Sequence, residues 1–321
     1  MKRARGLLLV VVGLAVAGLV LASVLLGAAT IEKDTNFTIP AGASVSSVAD
    51  KLAAEGLIAS AAGFKLRARL FGSDAPIQAG EFLLTPGMDQ GDILAAFQSG
   101  DVIRRFVTVP EGMPSILVWE RVMAEPLLTG EVAVPPEGSI LPDTYAFERG
   151  QSRASIVAQM QTAMTKALAE EWAKRREGIV VSSPREAVIL ASIVEKETGK
   201  PEERRMVAGL YSNRVRIGMR LQADPTIIYP ITKGKPLGRR IRQSEIRAVN
   251  GYNTYTMAGL PEGPITNPGR ASIAAVLNPE NTGALYMVAD GTGGHWFAST
   301  LAEHNANVAK WYAIRRERGE M

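Results

Sequence analysis

Hydrophobic residues follow three patterns along the 321-residue chain, and the first is an unbroken run near the N-terminus. Residues 7–29 carry no charge, and a helix of this length spans the hydrocarbon core of a bilayer. Basic residues precede the run and acidic residues follow it, which favours a cytoplasmic N-terminus. We therefore predict a cytoplasmic tail at residues 1–6, a single transmembrane helix at residues 7–29 and a linker at residues 30–36.

The same run allows one alternative, a cleaved signal peptide. Gly27, Ala28 and Ala29 have the small side chains that a signal peptidase site needs. Signal peptides, however, usually have a hydrophobic core of only about 7–15 residues. The longer run favours an uncleaved, single-pass anchor in the inner (cytoplasmic) membrane, with the rest of the chain in the periplasm or an equivalent extracytoplasmic space.

The second pattern is a strand, a Pro/Gly turn and an amphipathic helix, and it occurs three times. The turns are Pro40-Ala-Gly42, Pro86-Gly87 and Pro110-Glu-Gly112, each after a run of β-forming residues. Repeated units of this kind indicate small α+β modules. We assign residues 37–104 to a small α+β module and residues 105–321 to a larger α+β domain.

The third pattern is a helix, predicted from Ala187 to a stop at Gly199, that carries two glutamates. At about 100° per residue, Glu197 falls near the centre of the apolar arc and Glu195 falls about 160° away from it. A carboxyl group on an apolar face loses hydration, which raises its pKa and requires a partner or a chemical role. The helix alone leaves two interpretations open, a structural ion pair and a catalytic acid.

Composition narrows the chemistry that the chain can perform. The absence of cysteine excludes disulfides, thiolate metal sites and cysteine nucleophiles. Two histidines, His295 and His304, are too few for a histidine-rich metal site, so we expect neither a metal nor a cofactor. The net charge of +4, from 36 basic and 32 acidic residues, does not indicate a nucleic-acid partner.

Several short motifs follow one another between residues 140 and 310. They are Leu141-Pro-Asp-Thr-Tyr145, Ser192-Ile-Val-Glu-Lys-Glu-Thr198, Asn213-Arg214, Gly218-Met-Arg-Leu-Gln-Ala-Asp-Pro-Thr226, Tyr252-Asn-Thr-Tyr255, Gly259-Leu-Pro261, Ala289-Asp-Gly291 and Gly294-His295. In this order, the motifs resemble those of the endolytic murein transglycosylases (the MltG or YceG-like family). The chain departs from that pattern at Asn250-Gly251, before the Tyr-Asn-Thr-Tyr motif, and at Leu141, where an aromatic residue is usual.

The resemblance implies an endolytic peptidoglycan lytic transglycosylase that cleaves the bond between N-acetylmuramic acid and N-acetylglucosamine within a glycan strand. Such an enzyme cuts without water and leaves a 1,6-anhydro-N-acetylmuramic acid end, which suits the termination of nascent glycan chains. The partners it implies are peptidoglycan glycan strands, the membrane and peptidoglycan synthases of the elongation machinery. The catalytic glutamate of the family aligns with Glu197, which the helical periodicity also selects.

Residues 37–104 loosely resemble a LysM-like module, a family that binds glycans containing N-acetylglucosamine. The alternative is a spacer domain without a ligand. The expected fold class is therefore α+β, with a single N-terminal transmembrane helix, a small LysM-like α+β module and a larger α+β catalytic transglycosylase domain at residues 105–321.

One carboxyl group is sufficient for the implied reaction, whereas ordinary glycosidases use two. Protonated Glu197 would protonate the leaving glycosidic oxygen, and its carboxylate would then take the proton of the C6 hydroxyl that attacks C1. The residues expected to bind and orient the sugar all belong to the motifs above. They are Asn213, Gln222, Asp224, Tyr252, Asn253, Thr254, Tyr255 and His295.

Two other functions fit the same sequence. A membrane-anchored muramidase would hydrolyse the same bond, with Asp224 as the second carboxylate. A non-catalytic peptidoglycan-binding protein would need neither carboxyl group. The spacing along the chain does not give the distance between Asp224 and Glu197, so the choice between one carboxylate and two stays open.

Overall fold

The chain separates into two compact units, Met1–Arg105 and Phe106–Met321. The structure is a computed structural model and describes residues 29–73 and 75–320, together with residues 12, 15 and 18. Both units combine helices with short strands, which confirms the predicted mixed α+β class.

The N-terminal hydrophobic run falls almost entirely outside the described residues, and with it the predicted transmembrane helix at residues 7–29. Ala29, the last residue of that predicted span, forms an isolated antiparallel bridge with Ile58. Within the residues that the structure describes, no helix is both long enough and apolar enough to cross a bilayer.

From residue 29 onwards, the described part of the first unit is a two-stranded antiparallel sheet with three helices around one hydrophobic core. Its elements in chain order are β1 (Thr35–Ile39), α1 (Val45–Ala54), α2 (Ala61–Phe71), β2 (Gly80–Leu84) and α3 (Gln90–Ser99). Phe37 pairs with Phe82 across the sheet, and the Phe97 ring lies 5.6 Å from the first and 4.9 Å from the second. Buried aromatic rings on alternate strand positions thus join the sheet to α3.

The second unit contains the remaining helices and two separate pairs of strands. Its elements are β3 (Arg105–Thr108), α4 (Ser115–Ala124), β4 (Thr144–Phe147), α5 (Arg153–Ala173), α6 (Pro184–Glu197), α7 (Arg204–Arg216), α8 (Pro225–Thr232), α9 (Gln243–Ile246), α10 (Arg270–Leu277), β5 (Tyr286–Ala289), β6 (His295–Ala298) and α11 (Leu301–Glu317). Strand β3 pairs with β4, and β5 pairs with β6 in antiparallel register. Each of the three predicted strand–turn–helix units is confirmed, as β1–α1, β2–α3 and β3–α4.

The larger hydrophobic core of the second unit forms where α6, α7 and α10 pack against one another. Gly209 in the middle of α7 allows the segment after α10 to approach closely, because a Cβ atom there would lie 2.6 Å from the backbone oxygen of Glu280. The core therefore fixes the C-terminal end of α6 against the side of α7.

Candidate active site

Helix α6 carries both candidate carboxyl groups. Ser183 caps its N-terminus by accepting a hydrogen bond from the backbone amide of Glu186, and Pro184 occupies the first turn. Eight consecutive residues, Ala187 to Val194, are buried. The expected separation into an apolar and a polar side is therefore wrong, because neighbouring elements cover the helix on every side.

Glu195, which was expected to lie off the buried side, has a side chain that is only 5 % exposed. Its Oε2 accepts a hydrogen bond from the backbone amide of Gly269 at 2.9 Å, and its Oε1 lies 3.9 Å from Arg204 Nη2. Gly269 caps the N-terminus of α10. Glu195 is thus the structural carboxyl group of the pair, and it ties α6 to the start of α10.

Glu197 is the last residue of α6, and its carboxyl group borders a pocket of about 230 Å³, called here the Glu197 pocket. The lining residues come from α6, α7, the segment before α8, the Tyr-Asn-Thr-Tyr motif and β5. They are Glu197, Leu210, Tyr211, Arg214, Gln222, Asp224, Tyr255 and Met287. Four of them carry titratable side chains besides Glu197, which is an unusual density for so small a pocket.

Burial raises the pKa of Glu197 from 4.5 to about 7. A hydrogen bond from the Tyr211 hydroxyl lowers this pKa, the negative charge of Asp224 raises it, and the positive charge of Arg214 lowers it. The balance leaves a carboxyl group that can both give and take a proton near neutral pH. This is the range in which a general acid–base residue is most effective.

Asp224 shares the pocket with Glu197. It ends the segment that leads into α8, and one carboxylate oxygen, Oδ1, accepts a hydrogen bond from the Tyr255 hydroxyl at 2.6 Å. Burial and this hydrogen bond raise the pKa of Tyr255, so the phenol stays protonated and donates. The hydrogen-bonded Tyr255 and Asp224 side chains form the part of the pocket wall that comes from the Tyr-Asn-Thr-Tyr motif and the segment before α8.

Gln222 also lines the pocket, and its backbone adopts a left-handed conformation with φ of +53°. A residue other than glycine seldom adopts this conformation, and here backbone bonds hold it in place. The Gln222 amide donates to the backbone oxygen of Thr254 at 3.2 Å, and the next amide, that of Ala223, donates to Thr254 Oγ1 at 3.1 Å. The strained segment is thereby fixed to the Tyr-Asn-Thr-Tyr motif.

Asn253 and Thr254 were expected to bind the sugar, but both are fully buried. Thr254 Oγ1 lies 2.8 Å from Thr226 Oγ1 and joins the two pocket-forming segments. Asn253 Nδ2 donates to three backbone oxygens between residues 245 and 248, at 2.7 to 3.2 Å. Asn253 Oδ1 accepts from the backbone amide of Tyr255. Both residues hold Tyr255 in place and do not present polar groups to the pocket.

Three further predicted residues lie apart from the pocket lining in the described part of the chain. Asn213 Nδ2 donates to the backbone oxygens of Thr282 and Ala284. The Tyr252 ring packs on the Tyr229 ring with centroids 4.8 Å apart. His295 Nδ1 lies 2.7 Å from Glu203 Oε2. Asn213, Tyr252 and His295 thus all have structural contacts within the protein.

The structure adds pocket residues that the sequence did not single out as site residues, chiefly Tyr211 and Arg214. Tyr211 and Arg214 are three positions apart on α7, a spacing that places both on one face of a helix. This spacing was a usable signal, because a tyrosine and an arginine on the inner face of a helix need polar partners. The partner of Tyr211 is Glu197.

The described residues contain no group of three or more His, Asp or Glu side chains placed to hold a metal ion. One buried carboxyl group has a pKa of about 7, a second carboxylate accepts a hydrogen bond from a tyrosine, and an arginine lines the same pocket. This arrangement suits general acid–base catalysis on a small polar group.

The comparisons with known proteins agree with one another. The chain is 28 % identical, over 90 % of its length and 89 % of the relative, to the endolytic murein transglycosylase of Bacillus subtilis (strain 168). It is 27 % identical to the endolytic murein transglycosylase of Streptococcus pneumoniae (strain D39), over 88 % of this chain. The chain spans only 59 % of that longer relative.

The fold also matches a solved structure. The crystal structure of a yceG-like protein from Listeria monocytogenes superposes with a TM-score of 0.52 and 28 % sequence identity. The match covers 85 % of this chain and 99 % of the Listeria chain. A model of the YceG-like family matches residues 37–310, which include every residue of the Glu197 pocket. The protein therefore belongs to the YceG-like family.

Proposed function

We propose that this protein is a peptidoglycan lytic transglycosylase in which Glu197 is the only general acid and base. Relatives along most of the chain are named endolytic murein transglycosylases, which supports peptidoglycan as the substrate. The observation that most supports Glu197 in this role is its buried carboxyl group, which lines the pocket and has a pKa of about 7. A group with this proton affinity serves as an acid first and as a base afterwards.

The proposed reaction conserves atoms and protons without water. Protonated Glu197 gives its proton to the oxygen that links C1 of N-acetylmuramic acid to N-acetylglucosamine, and the bond from C1 to that oxygen breaks. The Glu197 carboxylate then takes the proton of the C6 hydroxyl on the same muramic acid, whose oxygen bonds to C1. The products are a free N-acetylglucosamine hydroxyl and a 1,6-anhydro end, and Glu197 is protonated again. An internal nucleophile has a high effective concentration and competes well with water.

A muramidase is the second candidate, and one observation favours it. Asp224 lies in the same pocket as Glu197, as a second carboxylate would in a hydrolase. Its hydrogen bond with Tyr255 occupies Oδ1, which leaves Oδ2 for a water molecule or for a substrate amide. Mass spectrometry of digested murein sacculi distinguishes the two reactions: anhydro ends support the transglycosylase, whereas reducing ends from incorporated water support the muramidase.

Glu197→Gln tests the catalytic assignment in both cases, because glutamine keeps the shape of the side chain and cannot donate the proton. We expect this variant to bind sacculi and to release no soluble fragments. Full cleavage by the variant would exclude Glu197 as the acid. Wild-type protein that binds sacculi and never cuts them would instead support a non-catalytic peptidoglycan-binding protein.

We extend the proposal to the N-terminal part of the chain. The uncharged run at residues 7–29 supports an inner-membrane anchor with the catalytic domain outside the cytoplasm. The β–α–α–β order from β1 to β2 supports a LysM-like, glycan-binding module at residues 37–104. An anchored enzyme next to the membrane would meet nascent glycan chains and their synthases first. Cell fractionation followed by protease accessibility of intact and opened cells tests the anchor and its orientation.

A further inference from the structure

Tyr211 lines the same pocket as Glu197. It is 2 % exposed, and hydrogen bonding from its hydroxyl group lowers the pKa of the Glu197 carboxyl group. Burial and the neighbouring charge of Glu197 raise the pKa of Tyr211, so the phenol keeps its proton. The hydroxyl is therefore a permanent donor, and it stabilises the ionised form of Glu197 more than the neutral form.

Arg214 lies one turn further along α7, on the same side of the helix, and also lines the pocket. Its Nε donates to the backbone oxygen of Leu285 at 2.7 Å, and its Nη1 donates to that of Leu221 at 2.5 Å. The guanidinium group also lies 6.0 Å from the centroid of the Tyr211 ring and 5.7 Å from that of the Tyr286 ring. Backbone dipoles and two aromatic rings thus fix the cation in one position.

Among the described residues, Arg214 forms no ion pair within 4 Å, although only 8 % of this residue is exposed. Burial of an arginine costs hydration energy, and most buried arginines recover part of it in an ion pair. Glu197 and Asp224 line the same pocket without forming such a pair. The positive charge is therefore available to a negative charge that forms in the pocket during the reaction.

The proposed reaction creates such a charge on Glu197. After it has protonated the glycosidic oxygen, Glu197 is a carboxylate at the C-terminal end of α6, where the helix dipole disfavours an anion. Burial and the charge of Asp224 also disfavour it, and the Tyr255 hydroxyl is bonded to Asp224. Of the four titratable groups that face Glu197 in the pocket, only Tyr211 and Arg214 favour the carboxylate.

We propose that Tyr211 and Arg214 are positioning residues that hold and stabilise the transient Glu197 carboxylate until it takes the proton of the C6 hydroxyl. This inference rests on the proposed function. Tyr211 supplies a hydroxyl donor that favours the carboxylate form of Glu197. Arg214 supplies the positive charge without forming the short ion pair that would keep Glu197 ionised from the start.

The test measures the release of soluble fragments from labelled sacculi by the full-length protein, at saturating substrate, between pH 5 and pH 9. The rate falls as the pH rises through the pKa of Glu197, because the acid must start protonated. Tyr211→Phe removes a group that favours the carboxylate, so we expect this fall to move up by about one pH unit. We also expect the maximal rate to drop by a factor on the order of 10 to 100.

Arg214→Met should move the pH profile in the same direction, and Arg214→Lys, which keeps the charge, should lie closer to the wild type. Tyr312→Phe and Arg205→Met are matched controls, because both side chains are exposed and lie away from the pocket. We expect the wild-type rate and profile from both controls. If Arg214→Met does not fold, Tyr211→Phe still tests the positioning role, because this substitution removes only a single oxygen atom.

A Tyr211→Phe variant with the wild-type pH profile and rate would overturn the inference. A lower rate with an unmoved profile would also overturn it, since that result indicates a purely structural role. Failure of the proposed function gives a different result, in which wild-type protein does not cut sacculi or Glu197→Gln cuts them normally. With an active wild type and an inactive Glu197→Gln, the Tyr211 profile tests only the positioning role.

Discussion

Replacement of Glu197 by glutamine should abolish cleavage and at the same time stabilise the folded protein at alkaline pH. The folded state raises the pKa of this carboxyl group from 4.5 to about 7, so folding favours the protonated form. A glutamate with a raised pKa makes the folded state less stable as the pH rises from the unfolded to the folded pKa value. Glutamine is uncharged at every pH and removes this loss.

The size of the effect follows from the shift in pKa. A difference of about 2.5 units corresponds to about 3 kcal/mol of unfolding free energy at pH values well above 7. The linkage relation gives a gap between variant and wild type of about 1 kcal/mol at pH 5 and about 3 kcal/mol at pH 8. The Tyr211 hydroxyl can donate to the amide oxygen of glutamine, so the variant keeps that hydrogen bond.

Urea unfolding of full-length wild type and Glu197→Gln at pH 5 and pH 8, followed by circular dichroism, measures this gap. Glu177→Gln controls for the loss of one negative charge, because this glutamate is exposed at the surface. A gap that is equal at the two pH values would refute the assignment of a protonated Glu197 near neutral pH. If Glu197→Gln loses cleavage and its advantage in unfolding free energy increases with pH, the carboxyl group needed for cleavage is also the one that destabilises the folded state.

Three further substitutions test other parts of the site. Gly209→Ala should lower the free energy of unfolding by about 1–3 kcal/mol despite the better helix former, because its Cβ would meet the Glu280 backbone oxygen; thermal unfolding measures this. Asp224→Asn removes a charge that raises the pKa of Glu197, so the alkaline fall in cleavage rate should move to lower pH, by less than about one unit. An upward movement would contradict this electrostatic account. Asn253→Ala removes the hydrogen bonds from a fully buried side chain to three backbone oxygens and should cost about 2–4 kcal/mol in urea unfolding.

The elements of the fold were predictable because their signals are local. Hydrophobic periodicity and Pro/Gly turns located β1 and α1, and the stop at Gly199 placed the end of α6 within two residues of Glu197. Burial was less predictable, because it depends on what packs against an element. The apolar arc of α6 predicted an outward-facing Glu195, yet helix α10 and Arg204 enclose it.

The composition of the site shows the same limit. Motif order pointed to Glu197 and Asp224, and the structure brings both into one pocket. The role of Asn253 as a loop anchor was not predictable, because it depends on how the chain folds back so that carbonyl groups five to eight residues earlier meet the side chain. Tyr211 and Arg214 were missed for a related reason, since only the packing of α7 against the end of α6 makes them neighbours of Glu197.

The two glutamates of α6 are given different roles in our proposal because their surroundings stabilise the negative charge to different degrees. Glu195 receives a backbone hydrogen bond and faces Arg204, so its charge is matched in the resting protein. The Tyr211 hydroxyl and the positive charge of Arg214 favour the carboxylate form of Glu197, whereas Asp224 disfavours it. The negative charge on Glu197 is therefore stabilised only in part. A fully matched carboxylate would hold its charge and could not act as an acid near pH 7. A carboxyl group without any match could not ionise during the reaction. The partial stabilisation around Glu197 places it between these limits, as the proposed role of a single acid and base requires.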